Sequence, residues 1–152
     1  MGIEIERKFL VTGSGYRSGV PHHIRQGYLS LNPDRTVRVR VTDDKGFITV
    51  KGRGLGVRPE FEYKIPAADA NQMLRTICIQ PIIEKTRYKT EVGGFVFEVD
   101  EFDGENAGLV VAEIELDSEQ QDFPRPDWLG ADVTEDTRNT NASLIRRPYR
   151  SW

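Results

Sequence analysis

Charged side chains recur on alternate residues inside segments that have the composition of β-strands. The first segment contains Glu4, Glu6 and Lys8, which fall on one face because successive side chains of a strand point to opposite sides. Later segments repeat this spacing with the pairs Arg38 and Arg40, Lys51 and Arg53, Glu60 and Glu62, Lys85 and Arg87, Glu98 and Asp100, and Glu113 and Glu115. If these faces were enclosed in a lumen, charges of both signs would indicate a bound ligand, because enclosing them without neutralisation is costly.

One strand with this pattern indicates only a sheet with its apolar face on the core and its charges in water. For a single pair such as Lys85 and Arg87, that solvated face is the simpler interpretation. Seven segments with the same spacing instead favour a sheet that closes into a barrel. The charged faces would then converge on a lumen, and the apolar faces would turn outward beneath helices.

Length and composition limit the classes of protein. The chain has 152 residues, which predicts one domain, 1–152. Its 21 basic and 24 acidic residues give a net charge of −3, which argues against a nucleic-acid or membrane surface held by bulk charge. No apolar run approaches the ~18 residues of a membrane span, and Glu4 and Glu6 occupy the place of a secretion signal's basic start. We therefore expect a cytoplasmic protein, as a monomer or a homodimer.

Turn signals separate the strand segments and make consecutive strands antiparallel neighbours. They lie at 32–34, at 44–46 and at the Gly-Gly pair 93–94. The spacing of apolar residues changes to that of a helix over 66–77, and this helix is expected to cover an outer face. A last helix is predicted from about 137 to 147.

Nine short strings carry a resemblance to a known family. In chain order they are EIERKFLV, RQGYL, VRVR, VKGRG, EFEYKIP, EKTRY, FEVDEF, AEIEL and DVTEDTR. Together they resemble the triphosphate tunnel metalloenzymes, also called the CYTH superfamily, and look most like its short bacterial inorganic triphosphatases. The resemblance extends over most of the chain, and its ordered set of strings is far more specific than any one of them.

The resemblance implies an all-β dominated α+β fold, a closed eight-stranded antiparallel β-barrel with a few outer helices. Its tunnel would bind a linear triphosphate and divalent cations, Mg²⁺ or Mn²⁺, for which carboxylate oxygens are suitable ligands. The residues that match the family's metal-holding carboxylates, or share their strand face, are Glu4, Glu6, Glu113 and Glu115. In short members, a C-terminal helix closes one end of the tunnel.

The same resemblance assigns phosphate contacts and catalytic roles. The expected substrate-binding residues are Lys8, Arg38, Arg40, Lys51, Arg53, Lys85, Arg87 and Arg138. The expected catalytic residues are Lys8, Glu60, Glu62, Lys85, Arg87 and Asp100. Where the family pattern has a lysine after Glu-Asp, this chain has Thr137 followed by Arg138, so that local phosphate contact departs from the pattern.

The predicted reaction is in-line attack of water on a terminal phosphoryl group, which releases phosphate from tripolyphosphate and leaves pyrophosphate. A nucleoside or thiamine triphosphatase, or an adenylyl cyclase, would use similar tunnel residues and is kept as an alternative. A non-catalytic module that binds polyphosphate or nucleotides is an alternative of another class. Carboxylates on several strands argue against that module, because they would not favour binding of an anion alone.

Overall fold

The structure, a computed structural model, describes residues 2–152. The strands are β1 (Gly2–Val11), β2 (Pro21–Ser30), β3 (Arg35–Thr42), β4 (Lys45–Gly52), β5 (Val57–Ile65), β6 (Ile79–Val92), β7 (Phe95–Phe102), β8 (Val110–Glu115) and β9 (Leu129–Asp132). The α-helices are α1 (Ala67–Thr76) and α2 (Asn141–Arg146), and short 3-10 helices lie at Gly15–Ser18, Gly104–Asn106, Thr137–Asn139 and Tyr149–Ser151. Within this part of the chain, no helix has the length and apolar character needed to cross a membrane.

Eight strands close into a ring. Their order is β5-β4-β3-β2-β6-β7-β8-β1, and β1 pairs back onto β5 with Ile3 opposite Pro59. Each of these pairings is antiparallel, and β9 adds a short ninth strand beside β1. The predicted closed eight-stranded antiparallel barrel is therefore confirmed, with β9 as an addition.

The strand register brings the charged faces together. Lys8 lies opposite Glu113, and Arg87 lies opposite Asp100, so these four residues share the inner face of the barrel. Residues that directly oppose one another in antiparallel strands point to the same side of the sheet. The alternation of charge in the sequence thus becomes a charged barrel interior.

Apolar residues of the same strands pack on the outside of the barrel wall. Phe9, Phe97 and Ile114 are buried there beneath Tyr16 and Trp128, which come from the segments before β2 and before β9. On another side, α1 packs Ala70 and Leu74 against Val39, Val41 and Cys78. The helix predicted over 66–77 is confirmed as α1, and it covers an outer face as expected.

The C-terminal helix is shorter than the sequence predicts. The expected span of 137–147 divides into the 3-10 helix Thr137–Asn139 and the helix α2, separated at Thr140. Thr140 is extended, and its side-chain oxygen accepts a hydrogen bond from the Ser143 N–H at 3.1 Å, so it caps α2. A helix that begins at such a cap cannot continue back through it.

Helix α2 lies across one end of the barrel interior. Its Leu144 and Ile145 pack against Tyr28, Ile83 and Phe102, which form the apolar end of the inner face. Most of the remaining inner face is charged or polar. The fold therefore leaves a polar chamber whose one end is covered by the C-terminal segment.

Candidate active site in the barrel interior

The barrel interior contains a cavity of about 360 Å³. The predicted site residues that line it are Glu4, Glu6, Lys8, Arg38, Arg40, Lys51, Glu60, Glu62, Lys85, Arg87, Glu113 and Glu115. They come from six of the eight strands of the ring, namely β1, β3, β4, β5, β6 and β8. Sequence alternation thus identified most of the charged wall of this cavity.

Three predicted residues do not line the cavity, and for two of them, Arg53 and Arg138, the expected inward placement is corrected. Arg53 is exposed and pairs with Asp34, because β4 ends at Gly52 and its alternation no longer directs the next side chain inward. Arg138 is also exposed and pairs with Asp136, at 2.9 Å, within the turn that precedes α2.

The third of these residues, Asp100, lies on the inner face but is fully buried beneath Arg87 and Lys85, so it does not line the cavity. Its carboxylate accepts hydrogen bonds from Arg87 Nε at 2.8 Å and Nη2 at 2.9 Å, and it lies 2.8 Å from Lys85 Nζ. Burial raises the pKa of Asp100, but the charges of Arg87 and Lys85 outweigh burial and lower it overall. Burial also lowers the pKa of Lys85, to about 8, although Asp100 opposes this. Asp100 therefore holds two cavity-lining cations in place.

Two arginines present unpaired donors inside the barrel. The Nε–H groups of Arg38 and Arg40 are buried and have no acceptor within residues 2–152. Their terminal nitrogen atoms do have partners, since Arg38 Nη2 lies 3.3 Å from Thr49 Oγ1 and Arg40 Nη2 lies 3.2 Å from Glu62 Oε1. A buried donor without an acceptor costs about 1–3 kcal/mol. An anion in the cavity would supply the missing acceptors.

Glutamates face one another across two strand pairs. Glu6 lies opposite Glu115, and Glu98 lies opposite Glu113. Like charges in such positions are destabilising. Burial, followed by the neighbouring Glu113, raises the pKa of Glu6 well above its ordinary value. These oxygen donors fit the chemistry of a hard divalent cation, which would neutralise the repulsion.

The carboxylates are at present directed mainly toward basic side chains. Glu4 lies 3.2 Å from Lys51 Nζ and 3.4 Å from Arg58 Nε, and Lys8 Nζ lies 3.8 Å from Glu113. Within residues 2–152, no three carboxylate, histidine or cysteine side chains surround a common point suitable for a metal ion. Binding a cation would therefore require rotation of glutamate side chains that already line the cavity.

Sequence reasoning missed several lining residues. Arg58, Lys89 and Asn141 line the cavity without having been predicted to do so. Arg58 could have been found, because it lies two residues before Glu60 on the same strand face. No pattern in the sequence places Asn141 there, since α2 reaches the cavity from the far end of the chain.

Comparisons with known proteins agree with this architecture. The CYTH domain matches residues 2–149. An inorganic triphosphatase of Acetivibrio thermocellus is 51% identical over 156 aligned positions, which cover 100% of this chain and 99% of that protein. An inorganic triphosphatase of Nitrosomonas europaea is 39% identical, with 93% of this chain and 95% of that protein covered.

A solved crystal structure of an inorganic triphosphatase superimposes with a TM-score of 0.65 at 35% identity, and covers 93% of this chain and 96% of the other. The likeness therefore extends to both sequence and fold over nearly the whole length of each protein. The chain belongs to the CYTH domain family.

Proposed function

We propose that this protein hydrolyses inorganic tripolyphosphate to pyrophosphate and phosphate with the help of a divalent cation. One observation carries the proposal: a single cavity combines buried arginine donors that lack acceptors with glutamates that oppose one another. The first group suits a polyanion, and the second suits a cation bound with it. Relatives named inorganic triphosphatase support this substrate.

Basic side chains would bind the phosphate chain. The residues proposed for this role are Lys8, Arg38, Arg40, Lys51, Lys85 and Arg87, all of which line the cavity. Charge-assisted hydrogen bonds from these groups would hold the non-bridging oxygens, and the planar arginine head can bind two oxygens at once. Such contacts orient the phosphate chain of the substrate and neutralise the charge that accumulates on the leaving pyrophosphate.

Glu4, Glu6, Glu113 and Glu115 would hold Mg²⁺ or Mn²⁺ through their carboxylate oxygens. When bound, the cation would supply charge neutralisation at the phosphate oxygens that the carboxylates alone would repel. Glu4 would first have to exchange its contacts with Lys51 and Arg58 for the cation. Basic side chains released in this way would become available to phosphate.

Glu60 and Glu62 would orient the attacking water. Glu62 is already positioned for this, because its Oε1 accepts hydrogen bonds from Thr49 Oγ1 at 2.8 Å and Arg40 Nη2 at 3.2 Å. As the water oxygen bonds to the terminal phosphorus, the bond to the bridging oxygen breaks and pyrophosphate leaves. The proton of the water passes to a glutamate carboxylate, and no side-chain nucleophile is needed.

The cavity favours an inorganic substrate over a nucleotide. Its apolar or aromatic lining consists of Tyr28, Phe47 and Ala142, and the remaining described lining residues are charged or polar. A pocket for a base would present a more extensive apolar wall. The opposed glutamates also argue against a module that only binds polyphosphate, because they weaken the binding of an anion in the absence of a cation.

The deciding experiment measures phosphate release from tripolyphosphate, pyrophosphate, ATP and thiamine triphosphate, with Mg²⁺ or Mn²⁺ and with excess chelator. We expect tripolyphosphate to have the highest kcat/KM and activity to disappear with chelator. Preference for ATP with formation of cyclic AMP would overturn the proposal in favour of a cyclase. Saturable binding of tripolyphosphate without turnover would favour the non-catalytic module.

A cytoplasmic location and a monomeric or dimeric state stay predictions from the sequence. Fractionation of cells and light scattering of the purified protein would test them.

A further inference from the structure

Asn141, the first residue of α2, connects the C-terminal segment to the cavity wall. Its Oδ1 accepts hydrogen bonds from Lys85 Nζ at 3.0 Å and from Gln26 Nε2 at 2.9 Å. Gln26 is fully buried, and Lys85 is almost so. The side-chain amide of Asn141 is thus held at the boundary between the apolar end of the barrel and its charged chamber.

The chemistry of Lys85 determines which way this amide points. A lysine ammonium donates hydrogen bonds and accepts none, so the atom of Asn141 that it contacts must be the oxygen. Gln26 must then present its nitrogen to the same oxygen. That choice leaves Gln26 Oε1 buried without a donor, a cost that the fold accepts in order to keep this orientation.

The orientation leaves the amide nitrogen of Asn141 free for a ligand. Asn141 lines the cavity, and its Nδ2 donates no hydrogen bond to any of residues 2–152. Because Nδ2 is not one of the fully buried polar atoms that lack a partner, this nitrogen is accessible from the cavity. Lys85 has three N–H groups, of which Asp100 and Asn141 take two, so one ammonium donor is also left over.

We propose that Asn141 is a substrate-binding residue, whose Nδ2 donates to a terminal phosphate group at the end of the cavity covered by α2. The inference rests on the proposed triphosphatase function and deepens it. Nδ2 of Asn141 and the remaining N–H of Lys85 can bind oxygens of the same phosphate, because Lys85 lies 3.0 Å from the other atom of that amide. A neutral donor here adds a contact without a further buried charge.

Helix α2 is fixed firmly enough to serve as such a wall. Lys8 Nζ donates to the Asn139 carbonyl at 3.1 Å, Thr140 caps the helix, and Leu144 and Ile145 are buried against the barrel. The C-terminal segment would therefore act as the end of the binding site, where it recognises an unsubstituted phosphate terminus.

Two variants separate a binding role from a purely structural one. Asn141→Asp retains the oxygen that Lys85 and Gln26 need but replaces the donor with a second anionic oxygen. Asn141→Ala removes both. A hydrogen bond to a charged group contributes about 1.5–3 kcal/mol, so the Ala variant should raise the KM for tripolyphosphate about tenfold or more. The Asp variant should raise it further, because its carboxylate repels phosphate.

The order of the two KM values is the critical result. If Asn141 only positions Lys85, Asn141→Asp should raise the KM less than Asn141→Ala does. That order, or an unchanged KM in both variants, would overturn the inference. Asn71→Asp is the matched control. Asn71 lies on the outer helix α1, away from the cavity, and its Oδ1 accepts a hydrogen bond from Arg25 of β2. It should leave the KM unchanged.

Melting temperatures and kcat are measured on every variant, so that a folding defect is recognised. If Asn141→Asp does not fold, Asn141→Ser, which also lacks the amide donor, replaces it and should raise the KM as Ala does. If the unaltered protein does not hydrolyse tripolyphosphate, the proposed function itself fails. If it does so and the variants bind as well as it does, only the role of Asn141 fails.

Discussion

Replacement of Asp100 by asparagine tests how far the charged interior depends on one buried carboxylate. Asp100 is fully buried and compensates Lys85 and Arg87 at once. In the Asp100→Asn variant, Arg87 retains Glu98 at 3.4 Å and Glu113 at 3.6 Å. Lys85 loses its anionic partner and keeps only neutral amide oxygens as hydrogen-bond acceptors, that of Asn141 among them, so it bears most of the loss.

Removal of one partner from a buried ion pair costs about 3–5 kcal/mol. Lys85 can respond by releasing its proton instead of remaining an unpaired cation. We therefore predict that Asp100→Asn lowers the free energy of unfolding by about 3–5 kcal/mol at pH 7.

Urea denaturation at pH 7 measures this loss as a lower midpoint at an unchanged m value. The deficit should narrow as the pH rises from 7 to 8. Over this range the folded variant lacks the Lys85 proton that its unfolded chain still binds, so its stability increases with pH. The folded wild-type protein retains that proton until its pKa of about 8, so its stability is less affected.

The matched control is Glu98→Gln, which makes the same chemical change two residues earlier on β7. The Glu98 side chain is 36% exposed and lies 3.4 Å from Arg87. A solvent-accessible pair of this kind contributes less than about 1 kcal/mol. The reasoning is refuted if Asp100→Asn costs no more than Glu98→Gln, or if its deficit grows with pH.

Three further predictions concern activity. Glu6→Gln keeps the shape of the side chain but removes the charge that would hold a cation, so turnover in the phosphate-release assay should fall roughly 100-fold. The same change at the exposed Glu119 should have little effect in this assay. Arg40→Ala should raise the KM for tripolyphosphate and ATP alike. Arg53→Ala should leave both KM values unchanged, because Arg53 lies outside the cavity. Equal KM changes in the Arg40 and Arg53 variants would contradict the assignment. Burial lowers the pKa of Lys85 to about 8, so kcat/KM should decline above that pH as the Lys85 ammonium loses its charge. A decline that persists in Lys85→Met would exclude this cause.

The barrel and most of its charged wall could be predicted because strand alternation is a local property. The alternation of side chains along a strand predicts that Glu60 and Lys85 point inward, and they do so in the structure. Arg53 does not, because β4 ends one residue before it, and strand ends are poorly marked in sequence. Asn141 could not be found at all, since its position depends on how the C-terminal segment folds back over the barrel.

The apolar cores and the charged chamber occupy different regions of the molecule. One core lies beneath Tyr16 and Trp128 and another beneath α1, both outside the barrel wall, and a third is formed with α2 at one end. Evolution can therefore alter the inner face of a strand while the residues that secure its outer face stay unchanged. A barrel organised in this way can exchange one anionic substrate for another through a few inward substitutions, without having to rebuild the scaffold that holds them.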